Sequence, residues 1–582
     1  MKYKLTFEKA ALRLVHVHIT YSVQASHTTW YLPKWRPGRY ELQAYHRNID
    51  EVSAATAEGH ALPMHRISTH SWQLEAEVGQ EVHIHYLYYA DNKDAGGSFV
   101  DPEMVYINGI NLFLYTDHSL IQPCELRLDI PSEWLLAGIP THIQKDKYLY
   151  FEDFHTLVDS PFFAAKEMIH HLFEIGKCYY HLWFLGEGAP NLVRMENDFT
   201  AFIKTHLNLF ESIPTQEFHF LTLLRSDSFR HGVEHSHSTV LSLGPGHLFM
   251  EESAYDSFLE ICSHELFHVW NVKSIRPADM LPYRYHEENY STLHYITEGI
   301  TTYYGDLMLW KSKVYSLKKW VKLINESLQR HYLIGGKDAI SLKTASFNSW
   351  VNGYSQEGIP NRRISFYTKG SLVAMLLDMD IRMRTEEQYS LDDVMYYLYE
   401  QYGCLKQGYT TAAILELLSE VTGESFQDFF EAYISGTAGL QTALQQMASY
   451  LGLRYKEVQP PNAAIRLMGV KSTYLPDGTA QVVQVIPHGR NAGVILEKND
   501  ILLSINNTKI NRNLPALLSF YAGEKWTIHY FRAEKLKQIC IDPQVLSAFS
   551  IPQFFIDIPR DKEQQDRLNS WRKSRSSSFP LS

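Results

Sequence analysis

Cysteine is scarce in this chain, and the few that occur are not paired along the sequence. The 582 residues include five cysteines, and no two of them form a C-x-x-C pair. An odd number of scattered cysteines does not provide a disulfide framework, so we expect a protein of a reducing compartment. This argues against the class of small secreted proteins that depend on disulfide bonds.

Long hydrophobic runs and runs of basic residues are also missing. No stretch approaches 18 consecutive apolar residues, and the first residues lead into strand-like sequence without the apolar region of a signal peptide. The formal net charge is −11, and no sustained run of Lys and Arg occurs before the last few residues. We therefore expect a cytoplasmic protein that binds neither membranes nor nucleic acids.

The length and composition predict a multidomain globular protein. Hydrophobic residues make up 45% of the chain and charged residues 20%, and 582 residues correspond to three or four domains of about 150 residues each. Residues 1–165 contain short alternating runs between turn motifs, which predicts a β-sandwich-like domain. Within it, residues 35–40 form an aromatic turn around Pro37 and Gly38, which we interpret as a structural corner rather than a ligand contact.

The rest of the chain predicts an α/β domain followed by a smaller unit. Residues 166–450 contain a helical stretch near 191–213, a strand at 217–224, and helical periodicity from about 315 onwards. Residues 455–545 form a separate unit with two further strand-like runs, and residues 546–582 are predicted as a C-terminal helix and polar tail. The predicted fold class is therefore multidomain α+β.

One short motif carries most of the chemical information. His264 and His268 belong to an H-E-x-x-H motif, and at positions i and i+4 of a helix they project from the same face. They can therefore bind one Zn²⁺ through imidazole nitrogens, with Glu265 beside them to take a proton from water. No Pro or Gly interrupts residues 253–274, and apolar residues recur at helical spacing, so we expect a long helix. A buried helix with two core histidines is the alternative.

A third protein ligand is needed to complete a catalytic zinc site. Glu298 is the best candidate, because it lies 30 positions after His268 at the expected start of another helix and is flanked by apolar residues. A glutamate that interacts with the helix dipole is the alternative explanation. The competing candidate ligands are His286, Glu287, Glu288 and His294, and residue chemistry alone leaves this choice open.

The sequence around these residues resembles the glycyl aminopeptidase family, a group of gluzincin metallopeptidases with a thermolysin-like catalytic domain. The resemblance rests on HELFHVWNVKSIRP at 264–277, on TEGITTYY at 297–304, and on YTKG at 367–370 followed by LDMDIR at 377–382. Residues 35–40 and 47–48 resemble motifs of the family's N-terminal β domain. Residues after 455, including AGV at 492–494 and NDILLSIN at 499–506, resemble its PDZ domain. The similarity therefore extends over nearly the whole chain.

The resemblance implies roles for further residues. Glu298 would be the third zinc ligand, and Tyr367 would donate a hydrogen bond to the oxyanion that forms when water adds to the scissile carbonyl. A core tyrosine with a satisfied hydroxyl is the alternative for Tyr367. The segment from Gly232 to His235 lines up with a G-L-E-H strand of the family.

In related aminopeptidases the glutamate of the comparable strand binds the α-amine of the substrate. The resemblance thus implies that Glu234 binds the amine, with Gly232 and His235 beside it in the substrate-binding strand. A strand next to a metal helix is also where an extended peptide could pair through its backbone. The chain departs from the family pattern at His231, where a second glycine is frequent, and this side chain could crowd the site.

The resulting hypothesis is a zinc aminopeptidase that acts on peptides with a free N-terminus. The resemblance implies a preference for N-terminal Gly, with Ala or Ser also accepted. Two alternatives stay open: a metallo-endopeptidase whose PDZ-like unit captures substrate C-termini, and a non-catalytic peptide-binding scaffold.

Overall fold

The N-terminal part of the chain is β-rich, as the sequence predicts. The computed structural model describes residues 1–145, 148–354, 359, 362–486, 496–544 and 550–573. The first fifteen strands are β1 (Lys2–Thr6), β2 (Leu14–Ser22), β3 (His27–Tyr31), β4 (Ile49–Thr56), β5 (Ala61–Leu62), β6 (Met64–Ser68), β7 (Ser71–Glu75), β8 (Glu81–Tyr89), β9 (Phe99–Val100), β10 (Met104–Ile107), β11 (Cys124–Asp129), β12 (Leu135–Ala137), β13 (Gln144–Lys145), β14 (Tyr148–Phe151) and β15 (Phe162–Ala165).

These strands form three sheets. The largest has the order β13-β14-β11-β1-β2-β8-β4-β5, the second has the order β12-β15-β10-β9, and the third has the order β3-β7-β6. Strands β2 and β8 alternate buried apolar residues with exposed or half-buried polar residues, so one face of the large sheet covers the core and the other faces solvent. A single helical turn, α1 (Phe154–Val158), connects β14 to β15.

A five-stranded sheet and a long helix begin the central part of the chain. The strands are β16 (Ile169–Ile175), β17 (Cys178–Leu185), β18 (Glu217–Leu224), β19 (Phe229–Glu234) and β20 (Ser238–Gly244), and α2 (Leu192–Phe210) connects β17 to β18. Their order is β16-β17-β18-β20-β19, so β19 is an edge strand that pairs antiparallel with β20 only. The predicted strand at 217–224 is confirmed as β18.

The remainder of this part is mainly helical, which confirms the predicted periodicity. The helices are α3 (Glu252–Phe267), α4 (Thr301–Lys311), α5 (Leu317–Tyr332), α6 (Leu342–Phe347), α7 (Ser349–Asn352), α8 (Thr368–Arg384), α9 (Leu391–Leu398), α10 (Thr411–Thr422), α11 (Gln427–Phe429) and α12 (Gln441–Leu451), and a π-helical turn, Tyr295–Ile300, leads into α4. Two short strands, β21 (Arg276–Pro277) and β22 (Gly408–Tyr409), pair parallel.

A sheet with its own core follows the helices. It contains β24 (Val470–Tyr474), β25 (Ala480–Val485), β26 (Ile501–Ile505), β27 (Thr508–Lys509), β28 (Trp526–Arg532) and β29 (Lys535–Ile541), with α13 (Leu514–Phe520) packed against it. Its apolar residues form a cluster separate from the main core. Residues 487–495, which include the AGV segment, lie outside the described residues, and the PDZ assignment and the domain boundaries stay predictions.

The chain returns to the main core at its C-terminal end. Strand β23 (Arg454–Val458) pairs with β30 (Ile551–Phe555), and α14 (Lys562–Arg572) follows. The indole of Trp571 is fully buried, packs against Trp310 and Trp320, and donates a hydrogen bond to Asp378 at 3.1 Å. Residues before and after the separate sheet therefore complete one core with the central helices.

Within the parts of the chain that the structure describes, no helix is long and apolar enough to cross a membrane. The cytoplasmic location stays a prediction.

Candidate metal centre

The two histidines of the H-E-x-x-H motif lie at the end of α3. His264 is in the last turn of the helix and His268 caps it, with backbone angles still in the helical region. Their Nε2 atoms are 3.1 Å apart. Nδ1 of His268 donates a hydrogen bond to the carbonyl oxygen of Asn271 at 2.7 Å, so Nε2 keeps its lone pair free for a metal.

Helix α3 ends at Phe267, earlier than the sequence predicts, and the chain continues through turns that include Asn271. The amide of Asn271 donates hydrogen bonds to the Ile296 carbonyl at 2.9 Å and to the Thr301 hydroxyl at 3.1 Å. These contacts tie the turn after α3 to the π-helical turn and the start of α4. Because Glu298 lies within that turn, Asn271 fixes the separation of the two elements that provide the candidate ligands.

Glu298 lies next to the two histidines. Its Oε2 atom is 3.5 Å from Nε2 of His268, and one donor atom from each of His264, His268 and Glu298 falls within 4.8 Å of the others. Oε1 of Glu298 accepts a hydrogen bond from Tyr40 at 3.1 Å. The competing residues His286, Glu287, Glu288 and His294 belong to no such group among the described residues.

The carboxylate of Glu265 also lies close to His268. Glu234, Glu265 and His268 also place one donor atom each within 4.8 Å of one another, and Oε2 of Glu265 is buried without a hydrogen-bond partner. Burial raises the pKa of Glu265 to about 8 and also raises the pKa of Glu298. Keeping these buried carboxyls ionised therefore costs free energy, and a cation between them would offset that cost.

The donor set fits a zinc ion. Tetrahedral ligands about 2.0–2.1 Å from zinc are roughly 3.4 Å from one another. The separations of 3.1 Å between the imidazole nitrogens and 3.5 Å between His268 and Glu298 agree with this geometry. Two neutral imidazoles and one carboxylate also form the usual protein ligand set of a catalytic zinc site, which leaves one position for water or substrate.

Glycine at position 232 leaves room for the Glu265 carboxylate. A Cβ atom at Gly232 would lie 2.5 Å from Oε1 of Glu265. Side chains alternate along β19, so Gly232 and Glu234 share the face towards α3.

His231 points away from this face of β19: its ring contacts Asp94, and its Nε2 atom is 3.4 Å from Arg36. The expected crowding of the site by His231 does not occur in this structure.

Glu234 is the last residue of the edge strand β19, and His235 follows it. Oε1 of Glu234 is buried without a hydrogen-bond partner, and a Cβ atom at Gly38 would collide with this carboxylate. His235 donates from Nδ1 to Asp159 at 3.1 Å, and the same carboxylate accepts a hydrogen bond from Lys273 at 2.7 Å. Asp159 therefore anchors the end of β19, whereas Glu234 keeps an unused acceptor.

Tyr367 lies immediately before α8. Burial raises the pKa of its phenol well above the usual value, and the nearby negative charge of Glu298 raises it further. The hydroxyl of Tyr367 is 3.2 Å from the hydroxyl of Tyr354. A Cβ atom on Gly299 would lie 2.7 Å from Cα of Gly370. The two glycines thus allow the backbones that carry Glu298 and Tyr367 to touch.

Three residues near the centre were missed by the sequence analysis. Tyr40 and Gly38 belong to the turn that we predicted as a structural corner, and that turn also reaches the metal centre. Tyr354 lies in a stretch without periodicity and hydrogen-bonds through its hydroxyl to the Gly38 carbonyl at 3.5 Å. Only the resemblance of residues 35–40 to a family motif pointed to this region.

The geometry at α3 defines the class of the site. Two histidines at the end of one helix, a glutamate in the turn before a second helix and a nearby buried carboxylate without a hydrogen-bond partner match the residue set of H-E-x-x-H metallopeptidases.

Comparison with known proteins identifies the family. The description "Peptidase M61 N-terminal domain" matches residues 2–166, and "M61 glycyl aminopeptidase" matches residues 257–373. These matches confirm the resemblance seen in the sequence and support peptidase activity. No protein of curated function matches the chain.

One solved structure has the same fold over nearly its whole length. The crystal structure of an aminopeptidase N family protein from Idiomarina loihiensis is 26% identical, covers 98% of this chain and 100% of its own, and superposes with a TM-score of 0.87. An M1 zinc metallopeptidase from Deinococcus radiodurans is 11% identical over 75% of this chain and 94% of its own, with a TM-score of 0.49, a similarity too distant to bear on the site.

Proposed function

We propose that the protein is a zinc-dependent aminopeptidase that removes the N-terminal residue from peptides with a free α-amine. The observation that carries this proposal is that two groups of metal-binding and acidic side chains meet at His268, at the end of α3. His264, His268 and Glu298 bring three donor atoms together, and Glu234 and Glu265 each place a carboxylate oxygen within 4.8 Å of a ring nitrogen of His268. The candidate zinc ligands, the candidate base and the candidate amine-binding carboxylate therefore all lie around His268.

Glu265 is the proposed general base. A zinc ion bound by His264, His268 and Glu298 would polarise the scissile carbonyl and lower the pKa of a water molecule towards about 7. Glu265 takes the proton of the attacking water and delivers it to the leaving amine, a role that typically contributes about 10²–10⁴-fold to the rate. Its unpartnered Oε2 atom is free to accept that proton.

Tyr367 is the proposed donor to the oxyanion. Its hydroxyl lies beside that of Tyr354, which can accept or donate a hydrogen bond and so hold the Tyr367 phenol in one orientation. A phenol donor in a water-poor site strengthens its hydrogen bond as negative charge develops on the substrate oxygen.

Glu234 is the proposed binding group for the α-amine. Its Oε1 atom is buried and unpaired, which suits a charge-assisted hydrogen bond to an ammonium group. Because β19 is an edge strand, the residues after the amine can pair with its free backbone edge. His235 and Gly232 support this strand rather than contact the reacting atoms.

The preference for N-terminal Gly, and for Ala and Ser after it, is proposed from the family alone. A cavity of about 880 Å³ borders Glu234 and His235 but none of the three candidate ligands. Substrate assays over several first residues are therefore needed to define the specificity.

We also propose that the sheet from β24 to β29 is a PDZ-like domain that binds peptide C-termini. Its separate core and its resemblance to the family's PDZ unit support this. A labelled peptide should bind the full chain with a free C-terminal carboxylate and lose binding when that carboxylate is amidated. Equal binding of the two forms would contradict carboxylate recognition.

The activity is tested with aminoacyl chromogenic substrates of Gly, Ala, Ser and Leu. Glu265→Ala should bind zinc like the unaltered protein but lose at least about 10²-fold in kcat, and a chelator should remove activity that added zinc restores. Glu252→Ala, an exposed change on the same helix, is the matched control and should keep full activity. Turnover by Glu265→Ala at the original rate would refute the assigned base.

Blocked peptides separate an aminopeptidase from an endopeptidase. The protein should not cleave an N-acetylated peptide, and Glu234→Gln should lower kcat/KM for the free peptide. Cleavage of the blocked peptide would instead support the endopeptidase alternative. Absence of turnover together with full zinc binding would support the scaffold alternative.

A further inference from the structure

A second group of histidines lies on the N-terminal sheet, away from the proposed catalytic residues. His16 and His18 alternate with the buried Val15 and Val17 along β2, so both rings project from the outer face of the large sheet. The paired strand β8 places His85 directly opposite His18. Three imidazoles are therefore brought together by the sheet register alone.

The three rings are close enough to share one ion. The ring centroids of His18 and His85 are 4.7 Å apart, and those of His16 and His85 are 5.5 Å apart. Nδ1 of His16 is 3.2 Å from Nε2 of His85, and one nitrogen from each ring lies within 4.8 Å of the others. These separations approach the roughly 3.4 Å between tetrahedral ligands of zinc.

We propose that His16, His18 and His85 form a second divalent-metal site on the outer face of the large sheet, and that it takes an imidazole-preferring first-row cation such as Zn²⁺. Two histidines at i and i+2 of one strand and a third on the neighbouring strand provide a His₃ ligand set. The site does not depend on the proposed peptidase function, because none of its residues belongs to the catalytic group.

The surroundings of the site leave it open to a cation. Strands β2 and β8 are interior strands of the large sheet, so their register holds the ligands in place before an ion binds. His18 is exposed, which gives access from solvent, whereas Nε2 of His16 is buried without a hydrogen-bond partner. A bound ion would link β2 to β8 through side chains, in addition to their backbone hydrogen bonds.

Charges of both signs face the three rings. Glu8 and Lys4 act electrostatically on His18, and Glu51 and Lys9 act on His85. Lys4 is itself 3.6 Å from Asp129, which offsets its charge. The carboxylates of Glu8 and Glu51 therefore oppose the positive charges of Lys4 and Lys9 near the three rings.

The proposal is tested by zinc stoichiometry in the full chain. After removal of metal and titration with Zn²⁺ alone, the unaltered protein should bind two ions per chain. The double variant His264→Ala/His268→Ala should keep one of them, and adding His18→Gln to it should weaken that remaining site by more than about tenfold. Circular dichroism confirms that each variant is folded.

His83→Gln is the matched control, because His83 lies two residues from His85 on the same face and pairs with Thr20. It should leave both sites intact. Cobalt titration gives a second readout: absorption bands of a tetrahedral Co²⁺ site should persist in the double variant and disappear with His18→Gln.

Three outcomes would overturn the proposal. One is a double variant that is folded but binds no ion. Another is equal loss of affinity in His83→Gln and His18→Gln. The third is one ion per two chains with metal-dependent dimerisation, which would indicate a contact between molecules rather than a site within one chain.

Discussion

The hydroxyl of Tyr40 donates a hydrogen bond to Oε1 of Glu298 at 3.1 Å, across 258 positions of sequence. Both side chains are buried. The opposite oxygen of Glu298 points at His268, so the β-rich N-terminal part orients the carboxylate that is proposed to bind zinc. The metal centre therefore depends on both parts of the chain.

Removing this hydrogen bond should weaken metal binding. Groups that orient a metal ligand typically contribute about 10–100-fold to affinity or activity. We expect Tyr40→Phe to raise the dissociation constant for zinc by that factor, measured by competition with a chromogenic chelator. Tyr86→Phe removes a buried hydroxyl of the same region that bonds to the Leu112 carbonyl, and it should leave zinc affinity unchanged. Equal affinity in Tyr40→Phe and the unaltered protein would contradict the orienting role.

A methyl group at position 232 should disturb the proposed base. Its Cβ atom would lie 2.5 Å from Oε1 of Glu265, so the carboxylate must move. Because misplacement by about 1 Å can cost about 10²-fold, we expect Gly232→Ala to lower kcat strongly while zinc still binds. Gly523→Ala, where an added Cβ meets no atom within 4 Å, is the control. An unchanged kcat in Gly232→Ala would show that Glu265 has room to adjust.

A buried ion pair should contribute to stability without contributing to catalysis. Nζ of Lys311 is 2.5 Å from Oδ2 of Asp392, and neither side chain is exposed. Lys311→Met leaves the carboxylate buried without its counter-ion, so we expect a loss of about 3–5 kcal/mol in unfolding free energy, measured by urea denaturation. Lys322→Met breaks an exposed pair with Glu326 and should change stability by less than about 1 kcal/mol. A similar small change in both variants would argue against a buried charge at Asp392.

One buried histidine should make the fold sensitive to acid. Burial, followed by the charges of Lys369 and Lys337, lowers the pKa of His331 to about 3. The unfolded chain therefore binds this proton first as pH falls below about 6.5, and the folded state loses stability from there down to the lower pKa.

His331→Gln removes this titration. Its stability relative to the unaltered protein should rise by roughly 1.4 kcal/mol per pH unit between pH 6 and pH 4, measured from urea unfolding of both proteins at each pH. His65→Gln changes an exposed histidine and should show a constant difference. A constant difference for His331→Gln as well would mean that His331 accepts its proton in the folded state.

The parts of the site that lie on one helix could be predicted from the sequence. The i, i+4 spacing of His264 and His268 is set by helix geometry, so the motif alone placed both on one face. Glu298 required the choice among several nearby acids and histidines, and the family resemblance made that choice. Tyr40 and Tyr354 could not be predicted, because only the packing of distant segments brings them to Glu298 and Tyr367.

The family-like segments also contain residues that stabilise the core. Asp378 belongs to a family-like segment, yet it accepts hydrogen bonds from Tyr303, Arg382 and Trp571 inside the helical core. A family motif alone therefore does not show whether a residue is catalytic or structural. The contacts that the residue makes in the folded chain distinguish the two roles.

The buried indole of Trp571 has a consequence for how the chain is made. Its partner Asp378 is synthesised almost two hundred residues earlier, and β30 also joins the main core only after the separate sheet has been completed. The helical core therefore lacks Trp571 and β30 until the residues that follow the separate sheet have been synthesised.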